Sequence, residues 1–586
     1  MTAMYRLYRE GTAPVPAWPE RRGKQDLDGV RADEGKSHAL PGAQQNAGLS
    51  LLMSLAEPPG PPYSSPPVRS GDVSEGSEPA LSQLGRTGRR HQLLIACCLA
   101  LFIWVLSGIC RLNWLERPSS LALLVQVLGI SVIGVRLCSY FHSFIFHWRR
   151  YRCMRMVSTS ELKALNVPYV KVHVTTRGLP GSTEVILRGV RNVAALVAED
   201  TEFYGKLLSV EICTESKEQA RLLAWEFRGS PLSVRTVVIP EDYQTSAGTL
   251  KKARSLQYMV EKRRAGWGKR PGKTFIVHYD EESVIEPSEM RKLLRHLATT
   301  DKKLLEGPIY YPLEYTSASL LCRGMEANRP IGCFECRSVM ESGIPLHLHG
   351  SNLVVEEQFE NAIGWDMGTL DGQAFIAEDY VFGALAFLKG GRKVFGWHGV
   401  AMLEQPPFSY RSAFKQRQRW ITGVLQGQQM LVRMNQFWSL PKWIRLRLIW
   451  GTRFRMVSFA IGTPVGLMFV AYFGLVLSGV LPSGLFGRPS TPLPMPLMTW
   501  LGLVAVMWLG SVFIGAWFNM AHTVYPLLVR GTEIGKVMTI APIAGMCESA
   551  AGLWAMALWL TGHRQVSWHP TPKTKQADQD TIWSKT

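Results

Sequence analysis

The chain is 586 residues long, with 46% hydrophobic and 19% charged residues and a formal net charge of +19. That length excludes one ordinary domain and leaves several compact units or a membrane protein. The basic excess would suit nucleic acid, anionic lipid or anionic substrates, but arginines crowd the ends of apolar runs, as in His147-Trp148-Arg149-Arg150-Tyr151-Arg152, instead of forming one basic tail. This is the pattern of a cytoplasmic membrane flank, so membrane lipid is an expected partner and nucleic acid is not.

Residues 1–88 are rich in Pro, Gly, Ser and charge, as in Glu57-Pro-Pro-Gly-Pro-Pro-Tyr63. They predict a disordered tail, because such a segment buries too little apolar area to offset its chain entropy. With no apolar core near Met1 followed by a small-residue cleavage site, a cleaved signal peptide is not expected. Residues 89–150 predict a two-helix transmembrane hairpin. Leu93–Trp114 and Leu121–Phe146 are each long enough to cross ~30 Å of hydrocarbon. Arginines before the first (Arg86, Arg89, Arg90) and after the second (Arg149, Arg150, Arg152, Arg155) put both ends in the cytoplasm.

From 157 to 436 short β-branched runs alternate with helical ones. Strands are predicted at Tyr169–Val174, Leu207–Ile212, Val234–Ile239 and Thr274–His278, with helices at Ser182–Glu199, Ser216–Phe227 and Leu250–Arg264 between them. This alternation predicts an α/β domain with a mainly parallel, doubly wound sheet, whose ligands bind at the carboxyl ends of the strands. Residues 437–450 carry Trp438, Trp443 and Trp450 beside Lys442, Arg445 and Arg447 and predict an amphipathic helix in the membrane interface. Apolar runs at about 454–480, 497–518 and 537–561 predict C-terminal membrane helices within 454–562, followed by a cytoplasmic tail, 563–586. A further crossing or re-entrant piece around 519–536 stays open. The ten cysteines show no scaffold spacing and predict small core residues in a reducing compartment. Cys333-Phe-Glu-Cys336 has no second pair, and His347 and His349 lack finger spacing, so no zinc site is expected.

Three motifs carry chemistry. The strand ending at His278 runs into Tyr279-Asp280-Glu281-Glu282. Acids two apart at a strand's carboxyl end can share one side, and two hard oxygen donors suit Mg²⁺ or Mn²⁺ on a diphosphate, or else an acidic turn before the next helix. Glu378-Asp379, after the Gly-rich Gly368-Thr-Leu-Asp-Gly372, predicts carboxylates at a helix N-terminus, fit for a general base or for ordinary helix-start acids. In Lys415-Gln416-Arg417-Gln418-Arg419-Trp420, a helix places Gln416, Arg419 and Trp420 on one face and turns Lys415 and Arg417 elsewhere. That face can hold a diphosphate through a guanidinium fork, or lie on a membrane surface.

In this order, just before membrane spans, the motifs resemble the family-two inverting glycosyltransferases of the cellulose and hyaluronan synthase type. Val174-Thr-Thr-Arg-Gly178, Lys252-Ala-Arg-Ser-Leu-Gln-Tyr258, Ile276-Val-His-Tyr-Asp-Glu-Glu282, His349-Gly-Ser-Asn352 and Ala377-Glu-Asp379 look like the subgroup of egghead-type β-1,4-mannosyltransferases. The resemblance implies a GT-A nucleotide-sugar-binding domain on the cytoplasmic face of a membrane. It implies metal and diphosphate ligation by Asp280 and Glu282, a general base at Asp379 with Glu378 beside it, and a donor clamp of Gln416, Arg419 and Trp420. Lys252 would meet the donor phosphates and Glu215 the nucleotide base, while His349, Ser351 and Asn352 would line the acceptor path. The implied reaction moves a sugar, mannose from GDP-mannose, to a lipid-linked or glycan acceptor. A processive β-polysaccharide synthase and a non-catalytic membrane scaffold or transporter are the alternatives.

Overall fold

The computed structural model describes residues 134, 137–145, 156–179, 181–478, 495–562, 571, 572 and 574. The predicted disordered tail, the first hairpin helix and most of the second lie outside the described residues, as does most of 563–586.

The α/β region is built on a seven-stranded sheet. Its strands are β1 (Tyr169–Thr176), β2 (Leu208–Thr214), β3 (Ser233–Val238), β4 (Thr274–Tyr279), β5 (Leu304–Glu306), β6 (Leu353–Glu356) and β7 (Phe395–Trp397). They lie in the order β7-β5-β6-β4-β1-β2-β3. The four strands anticipated from their β-branched runs pair in parallel. The difference from a doubly wound parallel sheet is β6, which runs antiparallel to both β4 and β5. Strands this short offer too few residues for a period of two to show.

Helices α1 (Ser182–Glu199), α2 (Lys217–Glu226), α3 (Lys251–Arg264) and α4 (Pro287–Thr299) cover the faces. Side chains at Asp200 and Ser216 cap the elements that follow them, and Pro287 opens α4, where its missing N–H is no loss. Val170, Val172, Val210, Ile212, Phe275 and Val277 are buried beneath α1 and α4 residues such as Val190, Val193, Leu293 and Leu297. The other side of the same strands carries charge. Lys171 meets Glu357 at 2.9 Å and Glu211 at 3.5 Å; Arg263 meets Glu360 at 2.8 Å and Glu211 at 3.5 Å; His278 meets Glu360 at 3.0 Å. Burial of the Lys171, Arg263, Glu211 and Glu360 charges is tolerable only because each has an opposite partner.

From β1 the chain winds outward through β2 and β3, then crosses back to place β4 on the other flank of β1. The carboxyl ends of β1 and β4 therefore diverge around a crevice, the usual ligand position in such sheets. Three further helices close the crevice, α6 (Arg329–Ser342), α7 (Glu378–Gly390) and α8 (Tyr410–Arg433), and α5 (Leu320–Glu326) precedes α6 outside its wall.

The single interfacial helix predicted for 437–450 is three short pieces, Asn435–Ser439, Lys442–Leu446 and a π turn Arg447–Gly451. Pro441, without an amide hydrogen, separates the first two. Trp438, Trp443 and Trp450 are exposed there. Three long helices follow, α9 (Thr452–Leu477), α10 (Met495–Ala521) and α11 (Leu527–Leu560). Among the described residues, Gly502–Ala521 and Leu527–Leu560 are long and apolar enough to cross a membrane. The stretch 519–536 holds the end of α10, a short turn and the start of α11.

Candidate active site

A cavity of about 340 Å³ opens where β1 and β4 part. Its wall is assembled from distant segments, each delivered by a different local device. β1 ends in Thr175, Thr176 and Arg177, and β4 runs out into Asp280, Glu281 and Glu282. Glu281 is turned inward, accepting a 2.5 Å hydrogen bond from the Thr176 hydroxyl. The Asp280 amide donates to the Ser283 hydroxyl at 3.0 Å, which tightens the turn after β4. Glu378 and Asp379 begin α7, and the Asp379 carboxylate accepts from the amide of Tyr380 at 2.8 Å. Helix α8, capped by the Ser409 side chain, presents Gln416, Arg419 and Trp420 to the cavity as the i, i+3, i+4 spacing requires.

Close packing holds the acidic pair against α8. A Cβ on Gly423 would lie 2.7 Å from the amide nitrogen of Ala377, and one on Gly427 would lie 2.4 Å from the Tyr380 ring. These two glycines, one turn apart on α8, receive the residues on either side of Glu378-Asp379.

Lys252, at the start of α3, stands among the acids. Its Nζ lies 2.6 Å from Asp280 Oδ1 and 3.6 Å from Glu378 Oε1, and it donates to the Gly350 carbonyl at 3.4 Å. Even so, negative charge dominates. Burial and then the Glu378 carboxylate push Asp379 up to about 7. Glu378 is itself raised by burial, against the pull of Lys252. Glu404 is pushed up to about 8 by burial, then by Glu282 and Asp280. Such crowding of carboxylates that resist ionising together is what an added cation relieves. The donor set is all oxygen, which fits Mg²⁺ or Mn²⁺ and not a softer ion.

Arg417, adjacent in sequence to the cavity residues, faces the other way. It is fully buried, ion-paired to Glu326 of α5 and, at 3.0 Å, to Glu548 of α11. Arg329 joins Glu548 at 3.4 Å, and the Arg329 and Arg417 guanidiniums both lie over the Trp420 ring, at 4.0 and 4.4 Å from its centre. The indole is thus fixed by charges tied to the last helix.

The family model described as Glycosyl transferase family group 2 matches residues 275–518. The chain carries a family-two glycosyltransferase domain. Similar curated proteins are the β-1,4-mannosyltransferases egh of Drosophila melanogaster, 27% identical over 194 residues, and bre-3 of Caenorhabditis elegans, 27% identical over 199. Each match covers 33% of this chain and 41% of the relative. The chain thus spans about two fifths of the relatives it matches. Among solved structures, TarS 1-349 of S. aureus is similar at 12% identity and a TM-score of 0.30, covering 64% of this chain and 90% of that one.

The glycosyltransferase domain does not gather every residue singled out in the sequence. Glu215 is outside the cavity wall, held by Arg254 at 3.3 Å and Arg177 at 3.4 Å. Asn352 is buried behind the wall, donating to the Pro308 and Val400 carbonyls at 2.8 and 2.9 Å in a left-handed conformation that asparagine tolerates. His349 and Ser351 do line the cavity. Others come as additions: Glu404, which accepts from Ser283 and Ser351, Tyr311, Arg329, and Thr571, whose hydroxyl accepts from Arg419 at 3.1 Å. Nothing in local spacing marked these, since Glu404 sits in an irregular stretch and Thr571 comes from beyond the last helix.

Proposed function

We propose that the chain is a membrane-bound, inverting glycosyltransferase that moves mannose from GDP-mannose to a hydroxyl of a lipid-linked or glycan acceptor, forming a β-linkage. The observation that carries this reading is the meeting in one cavity of the strand-end acids, the Glu378-Asp379 pair and the Gln416-Arg419-Trp420 face. The mannosyl donor follows from the similarity to the two β-1,4-mannosyltransferases. Long apolar helices packed against the domain support a membrane seat, and the arginine-rich flanks of the apolar runs favour the cytoplasmic side for the cavity.

In the proposed reaction, Asp379 accepts the proton of the acceptor hydroxyl as the oxygen attacks the anomeric carbon. A single displacement from the opposite face then inverts the configuration. Arg419 and Lys252 stabilise the charge that gathers on the departing diphosphate, where preorganised cations are worth most. Asp280 and Glu282 would hold a divalent cation, which when bound supplies Lewis-acid neutralisation of the diphosphate. Glu378 keeps Lys252 oriented and raises the proton affinity of Asp379.

The test is turnover and donor binding by the purified chain across GDP- and UDP-sugars, with Mg²⁺ or Mn²⁺. GDP-mannose should be consumed in preference, and Asp379→Asn should lose at least about 10³-fold in turnover while still binding donor. Normal turnover by that variant would remove Asp379 from the base role, and a chain that binds no nucleotide sugar would be a scaffold.

A further inference from the structure

Behind the acceptor side of the cavity, three soft donors converge. Cys336, on α6, lies with its Sγ 3.7 Å from His347 Nδ1 and 3.8 Å from His349 Nε2. The three ligand atoms all lie within 4.8 Å of one another. Ligands about 2.3 and 2.1 Å from a tetrahedral zinc ion stand roughly 3.6 Å apart, so both sulfur-to-imidazole distances are already at coordination spacing. His347 and His349 flank the buried Leu348, which anchors the strip between them. Both histidines line the cavity wall, so a fourth position would face the cavity.

Surrounding groups are those a zinc site uses. Glu306, fully buried at the end of β5, lies 3.3 Å from His349 Nδ1, on the far side of the ring from the sulfur. A carboxylate there orients a ligating histidine and increases its basicity. Arg455 of α9 lies 3.7 Å from Cys336 Sγ and 3.2 Å from Glu335.

We infer that Cys336, His347 and His349 bind a zinc ion with its fourth position open to the cavity, pinning the strip 347–351 to α6. The partnership excludes Cys333, whose sulfur is turned to the Ile309 carbonyl at 3.7 Å. The ion's role is positional: the strip it holds carries Gly350, whose carbonyl meets Lys252 and on which a Cβ would lie 3.4 Å from Asp379 Oδ2.

Cobalt substitution tests this without reference to glycosyl transfer. The full chain, purified in detergent, stripped with chelator and titrated with Co²⁺ alone, should gain one equivalent of near-ultraviolet thiolate-to-metal absorption with visible tetrahedral bands, and Zn²⁺ should displace it. An ion held by Asp280 and Glu282 has no sulfur ligand and cannot give that band. Cys336→Ser should abolish it, Cys333→Ser should keep it, and Glu306→Gln should weaken Co²⁺ binding by about 10–100-fold. Absence of the band in the unsubstituted chain, or its persistence in Cys336→Ser, overturns the assignment. Because the unsubstituted chain is decisive by itself, a variant that fails to fold does not leave the question open.

Discussion

Arg417 and Arg419 stand two residues apart and do different work. Arg419 faces the cavity acids, whereas Arg417 is buried between Glu326 and Glu548. Arg419→Lys should raise the KM for donor about tenfold or more with the melting temperature little changed, since a point charge cannot reproduce a guanidinium fork. Arg417→Lys should instead lower the melting temperature, so kinetics and thermal unfolding must be read together. At Asp379 the carboxyl is raised to about 7 by burial and then by Glu378. In the proposed base role Asp379 must be deprotonated, so kcat/KM should fall about tenfold per unit as pH drops below 7. Glu378→Gln removes the repelling charge, so the acid limb should move to lower pH; a limb that stays put would separate Glu378 from the titration.

At the scale of elements, the acidic pair and the Gln416-Arg419-Trp420 face are set by contact between α7 and α8. Gly423→Ala would press a methyl into Ala377, and overpacking of this kind costs about 1–3 kcal/mol. Turnover should fall with it, because Glu378 and Asp379 follow Ala377 directly; wild-type kcat with lowered stability would show that the register tolerates the shift. The charged face of the sheet makes a second prediction. Arg263→Ala leaves Glu360 and Glu211 buried without their shared partner and should destabilise the domain by about 3–5 kcal/mol in chemical denaturation. Burial acts to raise Glu360, but Arg263 and His278 outweigh it and hold the carboxyl below its ordinary range. Its contribution to stability is therefore complete above the unfolded carboxylate pKa of about 4.3 and is lost as the pH falls below that. Alanine at 263 should flatten this acid dependence.

Over the whole molecule, what could be read from the sequence depended on the range of the interaction. β1 to β4 and α1 to α3 were legible because each spans enough residues for its own pattern to show, and Gln416, Arg419 and Trp420 were legible because helical spacing alone puts them on one face. The antiparallel β6, the zinc ligands and Glu404 were not, because each is defined by partners far along the chain. Cys336 shows the contrast: its near neighbour Cys333 suggested a pair, while its partners came from a strip after α6. Arg417 is a further case, since only the folded chain brings it to Glu548 on α11. That contact has a mechanical consequence. In the proposed membrane seat, α11 would tilt to match the thickness of the lipid around it, and any tilt carries Glu548, and with it the guanidiniums over Trp420, relative to the sheet that bears Asp280. Catalytic rate in vesicles should therefore vary with acyl-chain length, and the lipid becomes a setting of the enzyme as well as its surroundings.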